Sequence, residues 1–191
     1  TLLIYENIKT YLNQLLKVDM GLTPFTLISL EEKYKTTLEI DVNGQKTNIN
    51  VGGKIDRVDR VNGKMRVLDY KTGYVKSTSF KEVDELFQKD LKDLKKEVLQ
   101  AMIYTWILSV DSKETNFQPA IYSLRNLFKE NFNHEIKWDK HDFSFSELKE
   151  DFVSGLKSVL TEIYSTENTF YQTPHTDNCK YCAYKTICQR F

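Results

Sequence analysis

Two Asn-Gly pairs, Asn43-Gly44 and Asn62-Gly63, constrain this chain more than any other feature. A two-residue hairpin loop needs positive φ at both central residues, and Asn-Gly supplies that at the lowest steric cost. The flanks agree. TTLEIDV precedes the first pair and KTNINV follows it, a hairpin rich in β-branched residues; GKIDRVDRV precedes the second and KMRVLDYK follows it, reading as another. Gly52 and Gly53 separate the two hairpins, which predicts a meander of three or four antiparallel strands beginning near Lys33.

The rest of the chain reads mainly as helix. Apolar residues from Leu3 to Leu16 recur at helical spacing, predicting an amphipathic helix over 3–18 that ends near Gly21 and Pro24. Two helical patterns follow Gly73. KEVDELFQKDLKDL, residues 81–94, is heavily charged and reads as a solvated helix. KEVLQAMIYTWILSV, residues 96–110, is apolar nearly all round, so it belongs against the sheet with Trp106 as core. FQPAIYSL (117–124) and FNHEIKW (132–138) read as further strands. Ser144 or Ser146 caps a helix running to about Tyr164, with Glu147 in its first turn, and a loop-like tail occupies 166–191. Helices interleaved with strands over 191 residues predict one domain, α/β or α+β.

Charge narrows the function classes. Lys plus Arg and Asp plus Glu are each 27, so no overall positive field advertises nucleic acid, and such a partner must be held locally. Lys89, Lys92, Lys95 and Lys96 form a basic cluster, but Asp90, Asp93 and Glu97 interleave with them and favour a solvated face. The absence of a membrane-length apolar run or a leader-like start predicts a soluble cytoplasmic protein. A start on Thr1 suggests a piece of a longer chain. Gly52-Gly53 lacks the spacing and following helix of a phosphate loop, so close backbone approach is the better reading.

The second hairpin carries the chemistry. A two-residue loop at Asn62-Gly63 pairs Val61 with Lys64, and the same register sets Asp56 opposite Asp69. Opposed residues share a face with β-carbons about 4.5–5.5 Å apart, where two like charges repel. Lys71 projects from that face too. Two carboxylates and an amine, without a nearby histidine or serine, suit a divalent cation such as Mg²⁺ or Mn²⁺ and phosphodiester hydrolysis. The alternative is an ordinary ion pair of Asp56 with Lys71 on a solvated sheet face, and a one-residue bulge would break the opposition. Cys179, Cys182 and Cys188 crowd the last thirteen residues; an odd, clustered set argues for metal or cluster ligation rather than disulfides. His175 would complete a Cys3His zinc set. Tyr181, Tyr184 and Lys185 lie among these cysteines, either packed over their loop or touching a nucleic-acid strand.

G-x-I-D-R-x-D at 53–59, D-Y-K-T-G at 69–73 and Q-x-x-x-Y at Gln100–Tyr104 resemble the PD-(D/E)XK nuclease domains of the RecB, AddB and Cas4 group, the C-terminal cysteines most resembling AddB. The resemblance runs from about Lys33 to Phe191. It implies a restriction-endonuclease-like core, a mixed central sheet flanked by helices. By it, Asp56 and Asp69 hold Mg²⁺ or Mn²⁺ with the Tyr70 backbone carbonyl, Lys71 is catalytic, and Gln100 and Tyr104 position DNA or the lysine. Cys179, Cys182 and Cys188 become three of four ligands to a [4Fe-4S] cluster. The implied activity is exonucleolytic DNA hydrolysis, on single-stranded ends exposed by a helicase subunit or domain, in double-strand break repair. Two departures stand out: the family's upstream histidine ligand is missing, the first histidine being His134, and so is the fourth cysteine. Glu6, Glu31 or Glu32 is a candidate replacement for the histidine. A non-catalytic DNA-binding or scaffolding module is the rival reading.

Overall fold

A computed structural model describes residues 2–89, 94–169 and 171–190, with the Asn178 side chain left aside. Helix α1 spans Leu2–Gly21, strand β1 Phe25–Val42, β2 Gln45–Val61 and β3 Lys64–Lys71. They are followed by β4 (Ser79–Phe80), α2 (Lys96–Val110), β5 (Phe117–Ser123), β6 (Lys137–Trp138) and α3 (Lys149–Tyr164). Both Asn-Gly pairs form the expected loops, with positive φ at Asn43, Gly44, Asn62 and Gly63. Val42 pairs with Gln45 and Val61 with Lys64.

The main sheet has the order β1-β2-β3-β5. The first three strands are antiparallel neighbours and β5 joins β3 in parallel, so the sheet is mixed. Every residue of β5 is buried although it ends the sheet, because both of its faces are covered and the 132–138 segment lies along its outer side, bridging Ala120 to Glu135. α2 and α3 cover one face, where Val98, Met102, Trp106, Phe152 and Leu156 join Met65, Val67 and Ile121 in the larger core. α1 lies on the other, with Leu15 and Val18 against Leu68, Ala120 and Tyr122. This is an α/β architecture consistent with the restriction-endonuclease-like fold. No described helix is long and apolar enough to cross a membrane.

Four details correct the sequence reading. Gly52 and Gly53 do not separate strands: they lie inside β2, so the meander has three strands. Tertiary contact explains the glycines. A β-carbon on Gly53 would stand 2.6 Å from the Tyr104 ring, and one on Gly52 would stand 2.8 Å from the Tyr34 carbonyl oxygen. β1 also begins at Phe25, eight residues before the Lys33 start expected from the sequence, the charged Glu31-Glu32-Lys33 run masking the continuity. The 81–94 helix is absent from the described residues, which hold only a 3-10 turn at Val83–Leu86; residues 90–93 lie outside them. Tertiary contacts hold this turn: Val83 and Leu86 are buried, and Phe87 packs on Phe152 and over Gly155 of α3.

The 132–138 strand shrinks to β6, which pairs with β4, plus an isolated bridge between Glu135 and Ala120. Pro119 on the neighbouring β5 offers only its carbonyl, which accepts from the Ile136 N–H at 3.1 Å, so a full ladder has no donor there. Ser144, rather than Ser146, makes the capping box with Glu147, around a 3-10 turn at Phe145–Glu147 that precedes α3.

Candidate active site

The ladder between β2 and β3 runs from Val61↔Lys64 to Arg57↔Leu68. Asp56 and Asp69 come next in register. There the pairing gives way, and the Asp56 carboxylate takes the hydrogen bond instead: the Tyr70 N–H donates to Asp56 Oδ2 at 2.7 Å. The side-chain alternation of β2 also changes phase at this point. Ile49 and Ile55 enter the α2 core, as does Val58, three residues on rather than two. Opposite the break, Glu31 of β1 lies between the pairs Leu30↔Arg57 and Glu32↔Ile55 and has φ of +54°. The strand therefore kinks at the residue the motif singles out, and Asp56 reaches the end of β3 through its side chain.

Asp69 is buried, 4% exposed. Its pKa is raised above the ordinary aspartate value, first by burial, against the Lys71 ammonium that lowers it, with the charges of Asp56 and Glu97 adding to the rise. Both acids thus act on one another, as the register predicts. Lys71 Nζ lies 2.6 Å from Asp69 Oδ2 and donates to Gln100 Oε1 at 2.5 Å. Gln100 Nε2 donates in turn to the Tyr104 hydroxyl at 3.0 Å, and the Tyr104 ring fills the space over Gly53. The three separated motifs meet in one chain of contacts, because residues 100 and 104 are one turn apart on the same face of α2. The amine is tied to Asp69, not to Asp56 as an ordinary diagonal pair would have it.

Glu97 escaped the sequence reading, which assigned it to a solvated charge cluster. Three residues before Gln100, it shares the helix face that reaches Lys71, and its charge is felt at Asp69. Its i, i+3 spacing to Gln100 was the available signal. Of the proposed histidine replacements, Glu6 is exposed on α1, Glu31 pairs with Lys54 at 2.5 Å and Glu32 accepts from the Tyr34 hydroxyl at 3.2 Å. None of the three is among the charges acting on Asp69.

The donor set suits a small hard cation held by few protein ligands. Apart from the ion pair with Lys71, Asp69 Oδ2 is a buried oxygen with no hydrogen-bond partner among the described residues, and burial still outweighs the ammonium in setting its pKa. A carboxylate so poorly compensated gains most from a nearby dication. No group of three or more His, Cys, Asp and Glu gathers closely enough among the described residues to hold a metal, so Asp56 and Asp69 would share the ion with water and phosphate oxygens, the usual way Mg²⁺ is bound.

Away from this site, Cys179, Cys182 and Cys188 are free, half-buried thiols. Cys179 ends a 3-10 turn at Thr176–Cys179, and the Cys182 N–H donates to its carbonyl at 3.0 Å. The described residues assemble neither the trio nor the set with His175 into a ligand shell. Tyr181 and Tyr184 are exposed beside them. In the basic cluster Lys89 pairs with Glu162, Lys95 with Glu85 at 3.5 Å and Lys96 with Glu97 at 3.8 Å, while Asp90, Lys92 and Asp93 lie outside the described residues.

Comparison with known proteins agrees with the motifs. No curated protein matches the chain. A solved structure titled "Crystal structure of SSO0001" is 20% identical, with a TM-score of 0.42 over 97% of this chain and 70% of its own. The sequence pattern of the PD-(D/E)XK nuclease superfamily matches residues 6–189. That match spans nearly the whole chain and extends beyond the motif resemblance to the first part of β1 and most of α1. With the acids, the lysine and the helix motif converging where the β2–β3 ladder ends, the chain belongs to the PD-(D/E)XK nuclease superfamily.

Proposed function

We propose that the protein is a Mg²⁺- or Mn²⁺-dependent DNA exonuclease domain of the RecB and AddB kind, trimming single-stranded ends delivered by a helicase subunit or domain in cytoplasmic double-strand break processing. Membership of the superfamily implies a nuclease, hence a hydrolase with DNA as substrate, in a family that generally uses Mg²⁺ or Mn²⁺. The observation that supports a hydrolytic site is Lys71 Nζ, held 2.6 Å from Asp69 and 2.5 Å from Gln100, while the RecB and AddB likeness rests on the motifs at 53–59, 69–73 and 100–104 and on the C-terminal cysteines.

A divalent cation at Asp56, Asp69 and the Tyr70 carbonyl would supply Lewis acidity and acidify a coordinated water. Lys71 meets the charge that develops on the phosphoryl oxygens or orients the attacking water, and Gln100 fixes its direction. Tyr104, behind Gln100, keeps that amide from rotating away. Cys179, Cys182 and Cys188 serve as three ligands of a [4Fe-4S] cluster once a fourth is supplied, which iron and sulfide analysis of anaerobically purified protein tests.

One observation favours the rival, a DNA-binding or scaffolding module without catalysis. The first histidine of the chain, His134, is a hydrogen-bond partner of buried Arg66 rather than a metal ligand at the acids. Labelled single-stranded and duplex DNA, incubated with the protein and Mn²⁺, Mg²⁺ or EDTA, separates the two. Metal-dependent shortening that Lys71→Ala abolishes supports the enzyme; retention of DNA without cleavage supports the rival.

A further inference from the structure

The residue after each acid points to the opposite face of the sheet, and those two residues touch. Arg57 follows Asp56 and Tyr70 follows Asp69; the Arg57 Nη1 donates to the Tyr70 hydroxyl at 3.3 Å. The same nitrogen donates to Asp19 Oδ2 of α1 at 2.6 Å, and Arg57 Nη2 lies 2.7 Å from Asp59 Oδ2. Arg57 is 5% exposed and stacks over the Phe25 ring, 4.9 Å from its centroid. Asp19 is held from its other side by the Tyr122 hydroxyl, which donates to Oδ1 at 3.2 Å.

This arrangement sits directly behind a break in the ladder. Asp56 and Asp69 repel each other, and regular pairing of β2 with β3 stops at Arg57↔Leu68, the position just before them. Nothing in the backbone ladder opposes their separation. The reverse face does: an arginine fork anchored on two carboxylates reaches across to the tyrosine that follows Asp69, and that tyrosine's N–H is the one donated to Asp56.

We infer that Asp19, Arg57 and the Tyr70 hydroxyl form a clamp behind the candidate site that sets the spacing of Asp56 and Asp69, making Asp19 and Arg57 positioning residues for the divalent cation. This rests on the metal-site reading above. A helix that touches neither acid, α1, thereby becomes part of the site through its last turn. The rigid fork matters as much as the charge, since an ammonium cannot reach Asp19, Asp59 and Tyr70 together.

Mn²⁺ affinity, measured by the electron paramagnetic resonance signal of the free ion, and amide exchange at Tyr70 test the clamp together on the wild type, Tyr70→Phe, Asp19→Asn and a control, Tyr122→Phe. The control loses a hydrogen bond to the same Asp19 but no link to Tyr70. Tyr70→Phe and Asp19→Asn are expected to weaken Mn²⁺ binding roughly tenfold, the low end for outer-shell partners of a metal site, and to speed exchange of the Tyr70 N–H. Tyr122→Phe is expected to lower thermal stability without moving either readout. Variants that are folded, bind Mn²⁺ as tightly as the wild type and protect the Tyr70 amide equally would overturn the clamp. A wild type that binds no Mn²⁺ while the two variants still expose the Tyr70 amide leaves the clamp standing and removes the metal reading instead.

Discussion

The two faces of one hairpin handle charge in opposite ways. On the reverse face, Arg66 makes a bidentate contact with Asp59 at 2.7 Å through both nitrogens, Arg57 joins the same carboxylate, and Asp19 closes the set, so two cations meet two anions in nearly complete burial. His134 accepts from Arg66 Nη1 at its Nε2, which requires the neutral ring with the proton on Nδ1. On the front face the charges of Asp56 and Glu97 add to that of Asp69, whose paired cation among the described residues is Lys71, while Glu97 also meets the exposed Lys96 at 3.8 Å. Alternate residues of the same strands thus build a balanced structural network and an anionic, under-compensated site. The imbalance is what a divalent cation would correct, and it identifies the working face.

Removing the cation paired with Asp69 has the largest expected effect. Lys71→Ala should lower cleavage by roughly 10²- to 10⁴-fold, while circular dichroism keeps its native shape and the thermal midpoint falls at neutral pH because Asp69 loses its paired cation.

The sharpest contrast is between two aspartates. Asp59→Asn leaves Arg57 and Arg66 short of charge in the interior and should cost about 3–5 kcal/mol in urea unfolding. Asp69→Asn should abolish cleavage yet raise stability at neutral pH. A carboxylate whose folded pKa lies above its unfolded one contributes most below the unfolded value and loses that contribution as pH rises through the folded value. The gain from Asp69→Asn should therefore vanish in acid, and Mn²⁺ should raise the thermal midpoint of the wild type but not of this variant. Equal destabilisation by both substitutions would erase the distinction between the faces.

His134 gives the reverse face its own pH signature. Burial, and then the Arg66 charge, lower its pKa to about 4. A depressed histidine contributes stability that is present above the unfolded value, near 6.5, and is lost as pH falls to about 4; the full loss is about 3 kcal/mol. His134→Gln should flatten that part of the pH–stability curve without altering metal affinity. The smallest effect belongs to Gly53→Ala, whose methyl meets the Tyr104 ring. Overpacking of this kind costs about 1–3 kcal/mol, and displacing Tyr104 should loosen Gln100 and lower turnover while leaving the reverse face intact.

Much of this could be read from residues in a row. Both turns and the α2 helix follow from local chemistry, positive φ at Asn-Gly and a continuous apolar run, whereas the cap was legible only as Ser144 or Ser146 until the structure set Ser144 against Glu147. The proximity of Asp56, Asp69 and Lys71 followed from counting outward from one turn. The count failed at its last step, where the ladder yields and a side chain replaces the backbone acceptor, because mutual repulsion of two acids enters no propensity. Glu97 was hidden by lysines that pair with neighbouring acids. The charged 81–94 segment looked helical on pattern alone, yet Phe87 finds its place over Gly155, a contact set by the packing of α3.

What the sequence alone determined was the hairpin register, the order of the motifs and the face of α2 on which Gln100 and Tyr104 lie, since each depends on residues a few positions apart. Only the tertiary structure decided that Asp69 is buried against its own charge, that Lys71 turns to Gln100, and that an arginine behind the acids is anchored on a helix 38 residues earlier. Desolvation and long-range hydrogen bonds depend on which distant segments exclude water from a group, and no local pattern encodes that.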